Sequence, residues 1–401
     1  MGGTTAKAGV IYNGEALTTS KALIGGYDKA LPVQIAMMDI FEVGTGGGSI
    51  ARVEHGGLRV GPQSAGAAPG PACYALGGTQ PTVTDANLVL GRLGADRFLG
   101  GEMPLDVAAA ERAIGTIAKP LGLDITAAAD GILRIAATAM SYAVKGVTTE
   151  RGLDAGDFAL VAYGGAGPVQ AVQVAREIGI RKVIVPLAPG VFSAFGMLFS
   201  DLRYDFVRTA LMRLDEAPFD RIEKIYRELE AQGRKAIANT SLKPQKVVVK
   251  RAADMRYQGQ EHAVTVDLPD SVFKRRDRKA IKRLFDEMHE LRYGTSAPQE
   301  NAEIVSLRAT VTGMMRKPKP AKIKRGTAAP PKVAFTGKRR VYVGGSFRPA
   351  PTYRRAALLA GNKIKGPALI EEHASTTVLM PGDTCEVDAY GNLVIAVGKT
   401  R

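Results

Sequence analysis

The first nine residues, Met1-Gly2-Gly3-Thr4-Thr5-Ala6-Lys7-Ala8-Gly9, run straight into the apolar pair Val10-Ile11 and then into Tyr12-Asn13-Gly14-Glu15. This pattern reads as a glycine turn, a strand and a hairpin turn. Glycine amides approach an anion closely because no Cβ intervenes, and two threonine hydroxyls add further donors. Gly2, Gly3, Thr4 and Thr5 are therefore candidates for contacts with phosphate oxygens. A preceding strand ordinarily holds such a turn, so the sequence carries the expectation that it starts inside an active site, with that strand and any acidic residue on it lying before Met1.

A second anion-type turn sits at Phe158-Ala159-Leu160-Val161-Ala162-Tyr163-Gly164-Gly165-Ala166-Gly167-Pro168-Val169-Gln170. A buried-strand pattern enters a glycine turn, a helix follows through Val172, Val174 and Ile178, and a second strand spans Lys182 to Val185. The helix N-terminus offers free amides and partial positive charge to an anion. Two such turns in one chain make a nucleotide site a live reading, and the likeness of the second to the adenosine-holding loop of actin-class proteins implies that Gly164 and Gly165 lie on the adenosine side.

Two other glycine clusters are less decisive. Val43-Gly44-Thr45-Gly46-Gly47-Gly48-Ser49-Ile50 invites a dinucleotide-binding reading, but residues 50–60 have a hairpin pattern rather than the helix that a Rossmann turn must open. Gly46, Gly47, Gly48 and Ser49 thus form either a structural turn or the wall of a pocket. The run from Gly61 to Tyr74 precedes Pro81-Thr82-Val83-Thr84-Asp85-Ala86-Asn87 and is long for a loop inside a compact domain. Thr84 or Asp85 caps the helix from Ala86 to Leu93, or Asp85 faces the pocket. Cys73, an isolated cysteine among small residues, reads as buried rather than as a nucleophile.

With 401 residues, 45% of them hydrophobic and 23% charged, the chain has material for two or three domains. Two cysteines, Cys73 and Cys385, make no zinc pattern, and no apolar run approaches the ~20 residues that a membrane-spanning helix needs. A cytoplasmic protein is expected. The net charge of +15 is local, because Arg316 to Lys365 holds 15 Lys and Arg and no Asp or Glu. Prolines 318, 320, 330 and 331 mark its first part as a linker, and no nucleic-acid-binding motif accompanies it. Residues 103–118 and 127–147 read as amphipathic helices. Beyond Asp205 the texture changes to charged helices at 218–239 and 273–292 and strands at 247–256, 263–268 and 304–312, followed by a β tail. His55, His262, His289 and His373 are scattered and read as surface or packing residues.

More specific than these patterns are the runs Val43 to Ala51, Val60 to Gly66 with Pro69 to Tyr74, Thr82 to Asn87 and Tyr163 to Pro168. Together with Arg256 to Gln260, Gly366 to Glu372, Ser375-Thr376-Thr377, Pro381-Gly382 and Tyr390 to Leu393, they resemble the hydantoinase A/5-oxoprolinase family over essentially the whole chain. The resemblance implies an α/β actin-like (ribonuclease H-like) ATPase half-fold followed by an α+β, β-rich C-terminal domain. The corresponding segments are 1–205 for the ATPase part, 206–315, a basic linker at 316–335 and a β-rich tail at 336–401. It implies an ATP-dependent hydrolase of cyclic amides of the 5-oxoproline or hydantoin type, with magnesium beside ATP and a hydantoinase B-type partner subunit in a hetero-oligomer. A ketone carboxylase of the acetone or acetophenone type is the alternative, and a catalytically inactive binding module is another.

Departures from the family pattern bear on that expectation. Nothing matches the family's N-terminal domain, Met1 stands where members usually carry aspartate, Gln170 where many carry histidine, and Lys7 where hydantoinase-like members often carry aspartate. A cleft with one wall would be catalytically weak on its own, and the missing half is expected either from a separate N-terminal-half polypeptide or from a true start codon upstream of Met1.

Overall fold

The strands Ala159–Val161 and Lys182–Val185 pair in parallel, and helix Gly167–Glu177 crosses between them, as the sequence pattern predicts. The computed structural model describes residues 1–19, 22–24, 31–33 and 37–398. Lys182–Val185 has a second neighbour from far along the chain. Leu393–Ala396 pairs with it antiparallel, followed by Thr384–Val387 and Lys363–Lys365, which completes a five-stranded mixed sheet.

The β tail is therefore part of the first unit. The chain folds as two compact units, Met1–Phe195 with Pro320–Arg401, and Gly196–Lys319. The segmentation expected from composition, with boundaries at 205 and 316–335 and a separate tail at 336–401, differs from this division. Composition registers a change of texture but not the long-range strand pairing that returns residues 363–396 to the first sheet.

The first unit contains a second, four-stranded sheet in the order Phe335–Val343, Ser346–Arg354, Ala368–Glu372, Ser375–Leu379. Near the N-terminus, Ala6–Gly9 pairs antiparallel with Ile40–Val43, and Ser49–Glu54 forms a hairpin with Gly57–Ser64. Helices Val107–Leu121 and Ile125–Val147 start at Asp106 and Asp124, whose carboxylates accept the Ala109 and Ala127 amides at 2.9 and 2.7 Å. Those caps place the starts a few residues from the positions expected from periodicity. The helices bury Ile114, Ile117, Ile132, Leu133 and Met140 against Ala51 and Val83. Full burial of a side chain such as Leu133 contributes about 2 kcal/mol.

The second unit is a four-stranded antiparallel sheet, Leu202–Arg213, Ala302–Met314, Lys246–Tyr257 and Val264–Asp267 in that order, with helices Phe219–Ala238 and Arg278–Tyr293. Tyr226, Phe285, Met255, Ile304 and Leu307 fill the core between them. Gly233 lets helix and sheet approach, since a Cβ there would stand 2.3 Å from Val311 Cγ2. Arg251 lies over the Tyr226 and Phe273 rings and pairs with Glu223 and Glu230. His289 is buried in this unit, with its Nδ1 2.6 Å from the Thr295 carbonyl and its ring against Tyr257 and Phe285.

Candidate functional site

The glycine clusters that the sequence keeps far apart come together in the first unit. The Gly47 and Gly48 amides donate to the carbonyls of Gly2 and Gly3 at 3.0 and 2.6 Å, and the Ala166 amide donates to the Met1 carbonyl at 3.3 Å. The Met1 amine donates to Tyr163 O at 2.9 Å, and Thr84 contributes both its amide and Oγ1 to Gly47 O at 2.8 Å. Such approach needs missing side chains. A Cβ on Gly46 would stand 2.5 Å from the Gly3 carbonyl carbon, and one on Gly164 would stand 2.1 Å from the Met1 carbonyl oxygen. Gly164 also has φ +85°, which L side chains rarely adopt.

The two sides of this assembly differ in exposure. Gly46, Gly47, Gly48 and Ser49 are buried, and Ser49 Oγ accepts the Gly46 amide at 2.8 Å. Their donors are spent within the protein, so this loop acts as the buttress of the first turn. Gly2 and Gly3 are exposed, and a Cβ on either would meet nothing within 4 Å. Thr4 is exposed beside them, with Ser64 Oγ 3.5 Å from its Oγ1. Ser64 escaped the sequence reading because it ends a hairpin strand and carries no signal of its own.

Gly165, on the other turn, borders a small open pocket whose lining includes Arg97, Phe98, Glu371, His373, Ser375 and Thr376. The loop after Ala368–Glu372 thus reaches the glycine turn, placing the Ala374 carbonyl 3.1 Å from a Cβ built on Gly165. His373 Nε2 is 3.1 Å from Glu102 Oε1. Ser375 Oγ is buried without a hydrogen-bond partner. Helix Gly167–Glu177 begins with no side-chain cap and with Pro168 in its first turn, which leaves its N-terminal amides without a competing side-chain acceptor.

Asp85 lies outside both openings. It is fully buried and accepts from the amides of Ala72, Cys73 and Thr82 at 3.3, 2.8 and 2.9 Å and from Thr82 Oγ1 at 2.7 Å. Thr82 is the N-cap of helix Val83–Val89 and forms a capping box with Asp85, so the cap falls two residues before Thr84. With four donors on its two oxygens, Asp85 ties the 72–73 loop to the helix start and has no place as a pocket-facing group. Burial is the largest cause raising the Cys73 thiol, followed by the charge of Asp85. Cys385 is pushed up to about 12, again mainly by burial. Neither is an activated nucleophile.

Beneath the turns, Gln170 donates to Asn87 Oδ1 at 3.3 Å and Arg92 to Gln173 at 3.2 Å, while Gln170 Oε1 and Arg92 Nε are buried without partners. Desolvation brings the Arg92 guanidinium down to about 10, against the opposing charge of Asp130. The basic stretch is partly spoken for: Arg339 pairs with Glu371 and Arg355 with Glu372, each inside the first unit. Among the described residues no group of three or more His, Cys, Asp or Glu side chains is placed to hold a metal ion.

The profile of the hydantoinase/oxoprolinase family matches residues 1–206, and that of the hydantoinase/oxoprolinase C-terminal domain matches residues 213–394. The chain belongs to the hydantoinase/oxoprolinase family. An uncharacterised protein of Methanocaldococcus jannaschii is 39% identical over 98% of this chain and 57% of its own length. The caprolactamase alpha subunit of Pseudomonas jessenii is 34% identical over 87% of this chain and 51% of its own length. The crystal structure of the ATP-dependent caprolactamase of that organism superposes with a TM-score of 0.82 at 31% identity, covering 100% of this chain and 58% of its own. The nucleotide-free structure of acetone carboxylase, from work on ATP-dependent acetone carboxylation, gives a TM-score of 0.79 at 26% identity, covering 99% of this chain and 57% of its own. The chain therefore spans about half the length of each of these four relatives. These relatives make the hydantoinase/oxoprolinase fold a mixed architecture of sheets and helices that serves ATP-dependent enzymes. No helix among the described residues is long and apolar enough to cross a membrane.

Proposed function

We propose that this chain is the C-terminal part, or one subunit, of an ATP-dependent hydrolase of cyclic amides, built on an actin-like ATPase half-fold. The observation that carries the reading is the convergence of the Gly2-Gly3-Thr4-Thr5 and Gly164-Gly165 turns, in a chain that aligns along its whole length with an ATP-dependent caprolactamase. The residues fit a nucleotide. Gly2 and Gly3 have open space before them, Thr4 and Thr5 supply hydroxyls, and Gly165 opens onto a pocket beside an uncapped helix start. ATP at this place would supply the phosphoryl group that turns a carbonyl oxygen of the substrate into a leaving group.

This chain's own part is to hold phosphate oxygens with turn amides kept rigid by the buried Gly46–Ser49 buttress. Magnesium would be bound mainly through phosphates and water, as that ion commonly is, and no side chain is assigned to it. The partner we expect is a hydantoinase B-type subunit, in the cytoplasm, where two buried thiols remain reduced.

Ketone carboxylation is the second reading, favoured by the superposition on acetone carboxylase. The test is nucleotide binding followed by substrate-stimulated ATP hydrolysis with the partner subunit present. Gly3→Val should leave the fold unchanged, because its Cβ meets open space, and should lower ATP affinity at least tenfold. Gly165→Val should lower ATP affinity on the adenosine side, with the Ala374 carbonyl, 3.1 Å from the new Cβ, giving way by a few tenths of an ångström. Stimulation by 5-oxoproline, hydantoin or caprolactam supports the hydrolase, and stimulation only by a ketone with bicarbonate favours the carboxylase. Unchanged ATP affinity in both variants would remove the site.

A further inference from the structure

Just beyond strand Lys182–Val185 the chain bends at Ala188, which has φ +54° and ψ +57°. Alanine keeps this left-handed conformation only where its surroundings over-determine it. The residue is exposed, so packing around its methyl group is not what holds it.

The surroundings that hold it are polar. Arg355 is 4% exposed, and its Nη1 donates to Glu372 Oε1 at 2.9 Å. Its Nη2 donates to the carbonyls of Val185 and Gly391, each at 2.9 Å. Glu372 in turn accepts the Ala188 amide. The ion pair therefore grips the bend at both ends, through the Val185 carbonyl and the Ala188 amide. Burial is the largest cause raising the Glu372 carboxyl, and Arg355 and the Ala188 amide oppose it. A charged acceptor makes the stronger class of hydrogen bond.

What the bend supports is the second glycine turn. Pro189, the next residue, accepts the Gly164 amide on its carbonyl at 2.8 Å. Gly164 has φ +85°, so the Pro189 carbonyl joins two left-handed residues. The hairpin turn just past Glu372 seats against the same two segments. A Cβ on Gly190 would stand 3.0 Å from Ala374 Cβ, and one on Gly165 would stand 3.1 Å from the Ala374 carbonyl oxygen.

We propose that Glu372 is a positioning residue for the Gly164-Gly165 turn: it holds Ala188 left-handed, and Ala188 aims the Pro189 carbonyl at the Gly164 amide. Its bearing on ATP rests on the nucleotide reading of that turn, whereas the relay is a property of the chain itself.

The test is hydrogen exchange of the Gly164 amide in the full chain, measured beside ATP affinity. Glu372→Gln should speed that exchange about tenfold, the scale of the left-handed penalty for a residue other than glycine. Glycine takes the conformation without a tether, so adding Ala188→Gly to Glu372→Gln should return most of the protection. Ala188→Val leaves the ion pair in place and should speed Gly164 exchange by itself, because a β-branched residue resists positive φ. This variant decides the matter where Glu372→Gln does not fold. Unchanged Gly164 exchange in Glu372→Gln or in Ala188→Val would overturn the proposal. So would loosening of strands Lys182–Val185 and Leu393–Ala396 together with Gly164 in Glu372→Gln, without rescue by Ala188→Gly, since the pair would then be merely structural. Faster Gly164 exchange with rescue, but with ATP affinity unmoved, would support the relay and remove the nucleotide reading of the turn.

Discussion

The carbonyl carbon of Gly3 occupies the space, at 2.5 Å, that a side chain on Gly46 would need. The exposed turn and its buried support are thus in backbone contact, and position 46 controls the shape of a loop that it does not itself present to solvent. Gly46→Ala should cost about 3 kcal/mol, as overpacking against backbone that cannot retreat. Urea denaturation of the purified chain measures it, and a cost below the error of the fit would show that the turn is not buttressed there.

Asp85 provides a sharper contrast between structural and chemical roles. Replacing it by Asn turns one acceptor oxygen into a donor facing the Cys73 amide or the Thr82 amide and hydroxyl. The expected loss is about 2 kcal/mol of stability, read as a shift in denaturation midpoint. An Asp85→Asn protein of normal stability but with abolished ATP hydrolysis would instead place this carboxylate in the chemistry.

Thiol titration reports on both cysteines together. Burial raises Cys73 and Cys385 above the ordinary thiol range, so the thiolate is scarce at neutral and mildly basic pH and access is closed as well. Ellman's reagent should find no fast-reacting thiol in the native chain and two after unfolding in guanidinium. A stoichiometric fast reaction of one thiol in the native chain would contradict the burial of Cys73 or Cys385.

Acid should loosen the second unit through Asp201. The hydrogen bond from Lys317 is the largest cause lowering its carboxyl below the ordinary value of 3.8. A depressed carboxylate stabilises above its unfolded value and loses that contribution as pH falls through its lower folded value. Both side chains are about one-third exposed, so the contribution is under about 1 kcal/mol. Asp201→Asn should flatten the acid limb of stability against pH, and an unchanged limb would show that the pair adds nothing.

Local signals in the sequence carried well into the structure. The strand, glycine turn and helix around Gly164 and the hairpin after Ser49 both form as their residue patterns direct, because each is decided within about twenty residues. Leu202–Arg213 was not legible as a strand. Its Tyr204 and Phe206 alternate with the half-exposed Val207 and Leu211 on the opposite parity, so apolar residues appear on both faces and no period of two stands out. The N-cap at Thr82 was misplaced because Thr84 and Asp85 look equally suitable until the loop at 72–73 donates to Asp85. Among the site residues, Gly2, Gly3, Gly164 and Gly165 were visible as turns. The supporting role of Gly46–Ser49 and the contribution of Glu371, His373 and Ser375 depend on packing between distant segments, which no spacing encodes.

The pairing of Leu393–Ala396 with Lys182–Val185 spans the whole of the second unit in sequence. On the ribosome, residues 196–319 emerge and can close their own sheet while Lys182–Val185 still waits for its neighbour. The first unit finishes its core only once residues 393–396 have been made, so Lys182–Val185 stays uncovered on that side throughout the synthesis of the second unit.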